Sequence, residues 1–500
     1  MKRIDGRSLK KYWLDDYKWM TYQQVNEFTS SVAHELMSIG VTNQSKVLII
    51  SETRYEWMLS AQAVVRTGAS IVTLFSNLGL NGIHHGITET QVQTVITSID
   101  CMNLLGLVLA KGGHSVKQII YFDGYKAPSV ELFDNYIITS LSEIERNGRR
   151  RMASGQIGEL FRATPDHLML IMYTSGTTGI PKAVMLNHSQ FSASMRALFV
   201  LVAKVISTAP NHTYIAYLPM AHVLELTVEL FLFFGGVRIG YGSPFTLTDS
   251  APGLAKGVSS DMKLLSPTVM TCVPLVLDRI LKEIFDKLRS RTPISEPLFS
   301  YLMDYKSAWT QRGFTCLLTR SLLCSKVREQ LGGGLEYMIC GGAPLSAKTQ
   351  STIKAALDVT LIQGYGATET TGAALSMDFE DLSYGCVGVP LGGVKMRLKN
   401  WIEGGYSFND VPCPRGEILL GGDCICAGYL NLEQENEEAF VVDNSGMRWF
   451  CTGDIGQIEP NGSIRIIDRR KDLIKLQNGE YISLGKVSFN VLVIVVFKKY

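Results

Sequence analysis

Six of the seven residues from Thr174 to Ile180 are Gly, Ser or Thr, and Lys182 follows them in the stretch YTSGTTGIPK (Tyr173 to Lys182). Gly176 and Gly179 let successive backbone amides turn onto an anion, because they carry no Cβ to block a close approach. The hydroxyls of Thr174, Ser175, Thr177 and Thr178 add donors, and the Lys182 ammonium brings positive charge to the same place. The apolar run HLMLIM (His167 to Met172) before it reads as a buried strand, so the loop sits at a strand end suited to holding phosphate. The P-loop of nucleoside triphosphatases is excluded. That pattern needs a Gly-Lys pair followed by Ser or Thr, whereas here Pro181 precedes Lys182 and Ala183 follows it.

Four other segments carry chemistry. In PMAHVLEL (Pro219 to Leu226), His222 and Glu225 stand three apart and share a face if the turn is helical. CGGAPL (Cys340 to Leu345) is a strand end followed by two glycines and a proline, a turn that can lie flat against a ligand. GYGATE (Gly364 to Glu369) also follows a strand, at the carboxyl edge where ligands of open α/β sheets bind. Its Tyr365 offers a ring for a base, its Thr368 a hydroxyl for phosphate, and its Glu369 a hard oxygen ligand for Mg²⁺. In MRWFCTGDIGQIEPNGSIRIIDRRK (Met447 to Lys471), Asp454 in a Thr-Gly-Asp turn can accept from both ribose hydroxyls. Arg469 can donate to the sugar or to phosphate, and Asn461-Gly462 reads as a hairpin turn.

The elements that must position these residues alternate between strand and helix. Thr21 to Gly40 predicts an amphipathic helix with Thr21 and Gln24 at capping-box spacing. Strands are expected at Val47–Ile50, Ile71–Leu74, Thr94–Ile96, Gln118–Phe122, Ala183–Leu186, Tyr214–Leu218, Glu336–Cys340 and Val359–Ile362, with a broad helical region between Leu218 and Arg328. Such alternation predicts parallel sheets covered on both faces. From Arg397 to Ile467, short runs broken by Gly, Asn-Gly and Pro predict a β-rich unit. The expected divisions are a first α/β lobe over 1–151, a nucleotide lobe over 152–396, a β-rich subdomain over 397–470 and a remainder over 471–500.

At 500 residues, 46% hydrophobic and 19% charged, the chain can fill several cores. Its net charge of +2 gives no field that would gather nucleic acid. Ten cysteines include no CxxC pair, and all eight histidines precede residue 223, which argues against a zinc site or a disulfide framework and for a reducing compartment. No signal peptide opens the sequence and no apolar run reaches spanning length, so no membrane anchor is expected in this chain.

Taken together, the loop at Tyr173–Lys182 resembles the signature loop of the adenylate-forming superfamily, which comprises acyl-CoA synthetases, luciferases and peptide-synthetase adenylation domains. Ala183 departs mildly from the glycine usual there. The Met447–Lys471 block matches the fatty acyl-CoA synthetase form, and GYSFNDVPCPRGEILLGG (Gly405 to Gly422) and YGSPFTLTD (Tyr241 to Asp249) resemble the animal long-chain subgroup that includes arachidonate-preferring enzymes. The likeness runs from about Trp19 to Val487.

It implies an α/β fold, a large adenylation domain of two parallel-sheet subdomains plus a small β-rich one. It also implies a long-chain-fatty-acid–CoA ligase that takes a fatty acid, ATP with Mg²⁺, and CoA. On that resemblance Thr177 and Glu369 hold Mg²⁺, while Thr174, Ser175, Gly176, Thr178, Gly179 and Thr368 bind phosphate, with Lys182 beside them. Gly342, Ala343, Pro344 and Tyr365 frame adenine, and Asp454 and Arg469 take the ribose. His222 lies beside the acyl carboxylate, Lys471 is a hinge, and Lys475 serves the thioester-forming pose. The acyl tunnel is expected near Val273 to Ile280. Peripheral association with the cytoplasmic face of the endoplasmic reticulum or another intracellular membrane follows from the same resemblance; it implies no nucleic-acid partner and no particular oligomeric state.

After Gly485-Lys486-Val487 the likeness stops, and 29 residues after Lys471 are too few to bury a core of their own. The expectation is that the family's C-terminal lid, with its catalytic lysine, is missing here, and that the run from Val491 to Phe497 is β-prone and too short to span a bilayer. Two functions therefore stand at this stage: a long-chain-fatty-acid–CoA ligase, or a non-catalytic binder of nucleotide or fatty acid.

Overall fold

The computed structural model describes residues 11–124, 133–174, 181–314, 316 and 323–475, together with short strands at 3–4, 7–8 and 481–483. After a small hairpin, β1 (Arg3–Ile4) and β2 (Arg7–Ser8), the chain builds three sheets.

The first sheet contains β3 (Lys46–Ile50), β4 (Ser70–Thr73), β5 (Thr94–Ser98), β6 (Gln118–Phe122), β7 (Ile137–Ser140), β8 (Leu168–Thr174) and β9 (Lys182–Asn187). Its order is β9-β8-β4-β3-β5-β6-β7, parallel except where β9 turns back on β8. Helices α1 (Tyr22–Ser38), α2 (Tyr55–Thr67), α3 (Gly79–Thr90), α4 (Ile99–Leu109) and α5 (Leu141–Ala153) cover it. The capping box of α1 forms: Gln24 N donates to Thr21 Oγ1 at 3.2 Å and Thr21 N to Gln24 Oε1 at 2.8 Å.

Helices α6 (His188–Ile206) and α7 (Val223–Phe234) lie against the second sheet, which is made of β10 (Thr213–Ala216), β11 (Arg238–Tyr241), β12 (Val269–Cys272), β13 (Tyr337–Cys340), β14 (Thr360–Ala367), β15 (Gly372–Ser376) and β16 (Val389–Pro390). Strands β10 to β14 are parallel; β15 and β16 run antiparallel. The third sheet is antiparallel and holds β17 (Lys395–Lys399), β18 (Arg415–Gly421), β20 (Phe440–Val442), β21 (Arg448–Ile458) and β22 (Ile464–Arg469). Between them β19 (Gly428–Tyr429) returns to pair with β9 of the first sheet. One apolar core joins all three sheets through Trp57, Leu198, Val228, Leu375, Ile418 and Phe450.

Three expectations change. Strands β8 and β9, expected with the nucleotide lobe, pair within the first sheet. Strands β11 and β12 interrupt the region read as helical; each has four residues, too short for periodicity to separate it from a buried helix. Asp454 lies within β21, at a bulge in the strand: β21 slips register against β18 across Thr452–Asp454, where Gly453 has φ +72°, and against β22 between Ile455 and Gly456.

Candidate active site

A cavity of about 760 Å³ opens where the three sheets meet. From the first sheet come Thr174, the last residue of β8, and Lys182, the first of β9; they are register partners, so the loop between them springs from a closed hairpin base. Ser175, Gly176, Thr177, Thr178 and Gly179 lie outside the described residues.

His222 caps α7, its Nδ1 accepting the Leu224 N–H at 3.1 Å. Burial pushes its pKa below the usual histidine value, so the ring is neutral at pH 7. With Nδ1 occupied as an acceptor, the proton resides on Nε2, which faces the glycine turn. A Cβ placed on Gly342 would lie 4.0 Å from that nitrogen. The turn needs glycine on backbone grounds as well, since Gly342 has φ +79°. Gly341 and Gly342 line the cavity; Ala343 and Pro344 are exposed beyond its wall, where the chain departs toward the helix Ala347–Leu357.

Tyr365, on β14, donates to Asp454 Oδ2 at 2.7 Å, and Arg469 Nε donates to Asp454 Oδ1 at 2.7 Å. Asp454 and Arg469 are also register partners across β21 and β22. The buried carboxylate thus anchors two cavity-lining side chains and stands behind them. Thr368 and Glu369 follow on a 3₁₀ turn, both on the lining. Glu369 Oε1 accepts from Tyr429 at 2.7 Å; burial raises the Glu369 pKa, while the Tyr429 donor and the charges of Lys182 and Arg469 pull it back. Lys182 Nζ stands 4.9 Å over the Tyr429 ring.

Arg470 pairs with buried Glu417 at 2.9 Å, and Lys471 lines the same rim. Burial holds the Lys471 pKa below that of an ordinary lysine, and the charges of Lys182, Arg469 and Arg470 lower it further. These four cations share the opening with six carboxylates, Glu369, Glu403, Glu417, Glu435, Glu438 and Asp472, and Arg469 and Arg470 are already paired with Asp454 and Glu417. Lys475 ends β23 (Leu473–Lys475), which pairs with β24 (Tyr481–Ser483); its side chain lies outside the described residues.

Among the described residues no group of three or more His, Cys, Asp or Glu could hold a metal ion. Glu369, with one oxygen committed to Tyr429, suits a hard cation that brings most of its own oxygen ligands, as Mg²⁺ on a polyphosphate does. The ten cysteines are free thiols.

At its other end the cavity is apolar. Leu198, Leu201 and Val202 of α6 face Val228, Phe231 and Leu232 of α7 across it. Leu277 and Ile280, in the segment expected to form an acyl tunnel, are instead buried in a separate core on the far side of the second sheet. Sequence reasoning missed the α6–α7 wall and Tyr429. The wall residues look like any helix core, and only the Gly-Tyr pair after a β-rich stretch hinted at the latter.

This fold and cavity define an adenylate-forming enzyme: the AMP-binding enzyme family model matches residues 3–430, and the chain belongs to that family. Its relatives include long chain acyl-CoA synthetase 8 of Arabidopsis thaliana, 37% identical over 496 residues, which cover 97% of this chain and 67% of that protein. Long-chain-fatty-acid–CoA ligase 1 of Schizosaccharomyces pombe is 33% identical over 97% of this chain and 71% of its own length. Among solved structures, the A domain of a carboxylic acid reductase from Segniliparus rugosus, in complex with AMP and a co-purified carboxylic acid, superposes with TM-score 0.70 at 21% identity, over 97% of this chain and 72% of that one. A long-chain-fatty-acid-CoA ligase from Archaeoglobus fulgidus gives 0.64 at 19%, over 94% and 80%. At those identities the superpositions establish a shared fold.

Proposed function

We propose that the chain activates long-chain fatty acids with ATP and passes them to CoA. The observation that carries this reading is the two-ended cavity, with Lys182, Lys471 and a Tyr–Asp–Arg cluster at one end and the apolar side chains of α6 and α7 at the other. His222 stands on the lining together with both sets of residues. A fatty carboxylate oxygen attacks the α-phosphorus of Mg·ATP, the bond to the bridging oxygen of the β-phosphate breaks, and pyrophosphate leaves. The CoA sulfur then attacks the acyl carbon and AMP departs.

A carboxylate is a poor electrophile, and conversion to a mixed anhydride with AMP supplies the leaving group. The protein's task is to place donors where charge grows on phosphoryl oxygens. Lys182, Thr368 and the loop hydroxyls of Thr174, Ser175, Thr177 and Thr178 take the phosphates, with backbone amides at Gly176 and Gly179. Thr177 and Glu369 take the Mg²⁺ that ATP brings. Tyr365 and the Gly341–Gly342 turn face adenine, and Arg469, oriented by Asp454, faces the ribose. The His222 Nε2–H donates to the acyl carboxylate or to the oxyanion formed from it. Lys475 acts in thioester formation.

Among the described residues no helix is long and apolar enough to cross a membrane. A peripheral position on the endoplasmic reticulum or another intracellular membrane suits a substrate that partitions into bilayers.

The test is fatty-acid-dependent pyrophosphate release from Mg·ATP by the 500-residue chain, with acyl-CoA scored in the same reaction. Release with thioester formation is expected. ATP binding without release in the presence of palmitate or arachidonate would instead support the non-catalytic binder.

A further inference from the structure

Glu225 and Glu229 stand one turn apart on α7, and both are fully buried. Neither has an ion pair among the described residues. Each carboxyl has a single hydroxyl donor: Tyr214 of β10 reaches Glu225 Oε2 at 2.9 Å, and Tyr241 of β11 reaches Glu229 Oε1 at 2.5 Å. The opposite oxygens, Glu225 Oε1 and Glu229 Oε2, have no hydrogen-bond partner, and neither does Thr271 Oγ1 on neighbouring β12. Two carboxylates in that position would be buried, mutually repelling and half-solvated, an arrangement that core packing does not tolerate.

The groups around them offer no compensating cation. Tyr214, Tyr217 and Tyr241 supply phenols, and the Tyr217 amide favours charge on Glu225. Glu56 of α2, which acts on Tyr241, is already neutralised by Arg54 at 2.5 Å. His222, at the start of the same helix, is neutral.

The placement gives the pair a role. Residues 225 and 229 face the β10–β11 edge of the second sheet, while Leu224, Thr227, Val228 and Phe231 of the same helix line the cavity. The seat of α7 therefore fixes both the apolar wall and His222.

We propose that Glu225 and Glu229 are a positioning pair that retains a proton at neutral pH and thereby holds α7 against β10 and β11 in the register that acyl binding needs. The acyl part of this statement rests on the function proposed above. Burial raises both carboxyls above the ordinary glutamate value of 4.5, and the Glu229 charge raises Glu225 further. The folded chain thus binds more protons than the unfolded one above that pH. The pair's contribution to stability is complete below pH 4.5 and declines as pH rises through the folded-state titration.

The experiment compares wild type with E225Q/E229Q, in which uncharged amides mimic the protonated acids. Melting temperature is followed without ligand from pH 5.5 to 9, and affinities for cis-parinaric acid and for ATP are measured at pH 6.5 and 8.5. The wild type should lose melting temperature relative to the variant as pH rises. Its cis-parinaric acid affinity should fall roughly tenfold more than the variant's over the same interval, with ATP affinity changing less. A melting-temperature difference independent of pH overturns the retained proton. A pH-dependent difference with parallel cis-parinaric acid curves overturns the positioning role. Absence of cis-parinaric acid binding by the wild type at either pH removes the acyl reading and the positioning role with it, while the melting curves still decide whether the proton is held. Should the double variant fail to fold, E229Q alone is carried through the same measurements.

Discussion

The phenol of Tyr429 donates to Glu369 Oε1 over 2.7 Å, and the Lys182 ammonium stands over the same ring. Tyr429 lies on β19, pairing with Val184 of β9, while Glu369 follows the last strand residues of β14. One side chain thus ties the first sheet to the second at the Lys182 end of the cavity. Burial and the Glu369 charge raise the Tyr429 pKa, so it remains a donor across the working pH range.

Replacing Tyr429 by Phe removes that donor and leaves the ring. A hydrogen bond to a charged group contributes about 1.5–3 kcal/mol, so Mg·ATP affinity should fall by roughly tenfold or more. Calorimetric titration with and without Mg²⁺ checks this. The Mg²⁺-dependent increment should shrink in Y429F, and an unchanged increment would show that Glu369 is not oriented through this contact.

Asp454 holds Tyr365 and Arg469 at once, so Asp454→Ala should disorder the nucleotide end in one step. ATP affinity should drop by roughly one to two orders of magnitude, as expected when a buried charged pair loses a member. The variant should also discriminate poorly between ATP and 2′,3′-dideoxy-ATP, since the group that orients the ribose donor is gone. Retained discrimination would place ribose recognition elsewhere.

For His222, Asn can still cap α7 but cannot present a donor at the Nε2 position. H222N should melt close to wild type while kcat for adenylation falls on the order of 10²-fold. In the wild type, burial lowers the histidine pKa, so the neutral form dominates above 6.5 and for some distance below it. Because the unfolded chain binds the extra proton first, this group's contribution to stability rises with pH and is complete above 6.5. An acid limb in the rate profile at or above pH 6.5 that survives in H222N would assign it to another group.

Leu201 faces the α7 wall across the apolar end of the cavity. Leu201→Trp should occlude that end, raising KM for a sixteen-carbon acid about tenfold or more while sparing an eight-carbon acid, in line with the 1–3 kcal/mol that a lost or added methylene contact commands. Equal loss for both chains would mean that the wall does not bind the acyl tail.

Gly366 in GYGATE is required for a reason separate from ligand approach. A Cβ there would fall 1.9 Å from the Gly372 carbonyl oxygen on β15, a backbone atom that cannot yield. Gly366→Ala should therefore destabilise the chain by about 2–3 kcal/mol or more and lower ATP binding with it, read by denaturant unfolding.

The sequence by itself singled out Thr174, Lys182, His222, Tyr365, Thr368, Glu369 and Arg469, all of which the structure brings to one cavity. Loop residues, glycine turns and the Asp454 and Arg469 block have fixed local spacing and strong side-chain identities, and the capping box of α1 is a contact between neighbours in the chain. Alternating runs were enough for most of the parallel strands but not for β7, β11 and β12, each four residues long and too short to show a period. What tertiary structure decided lies in contacts far apart in sequence. Tyr429 meets Glu369 across 60 positions because β19 leaves its own sheet for another. The apolar end of the cavity is lined by α6 and α7, and Val273 to Ile280 are not on that lining; an apolar helix face has no mark saying whether a core or a cavity will cover it. Glu225, which sequence spacing set beside His222, was turned to the sheet instead, since at a helix N-terminus the capping residue and the third residue of the first turn point to different surroundings.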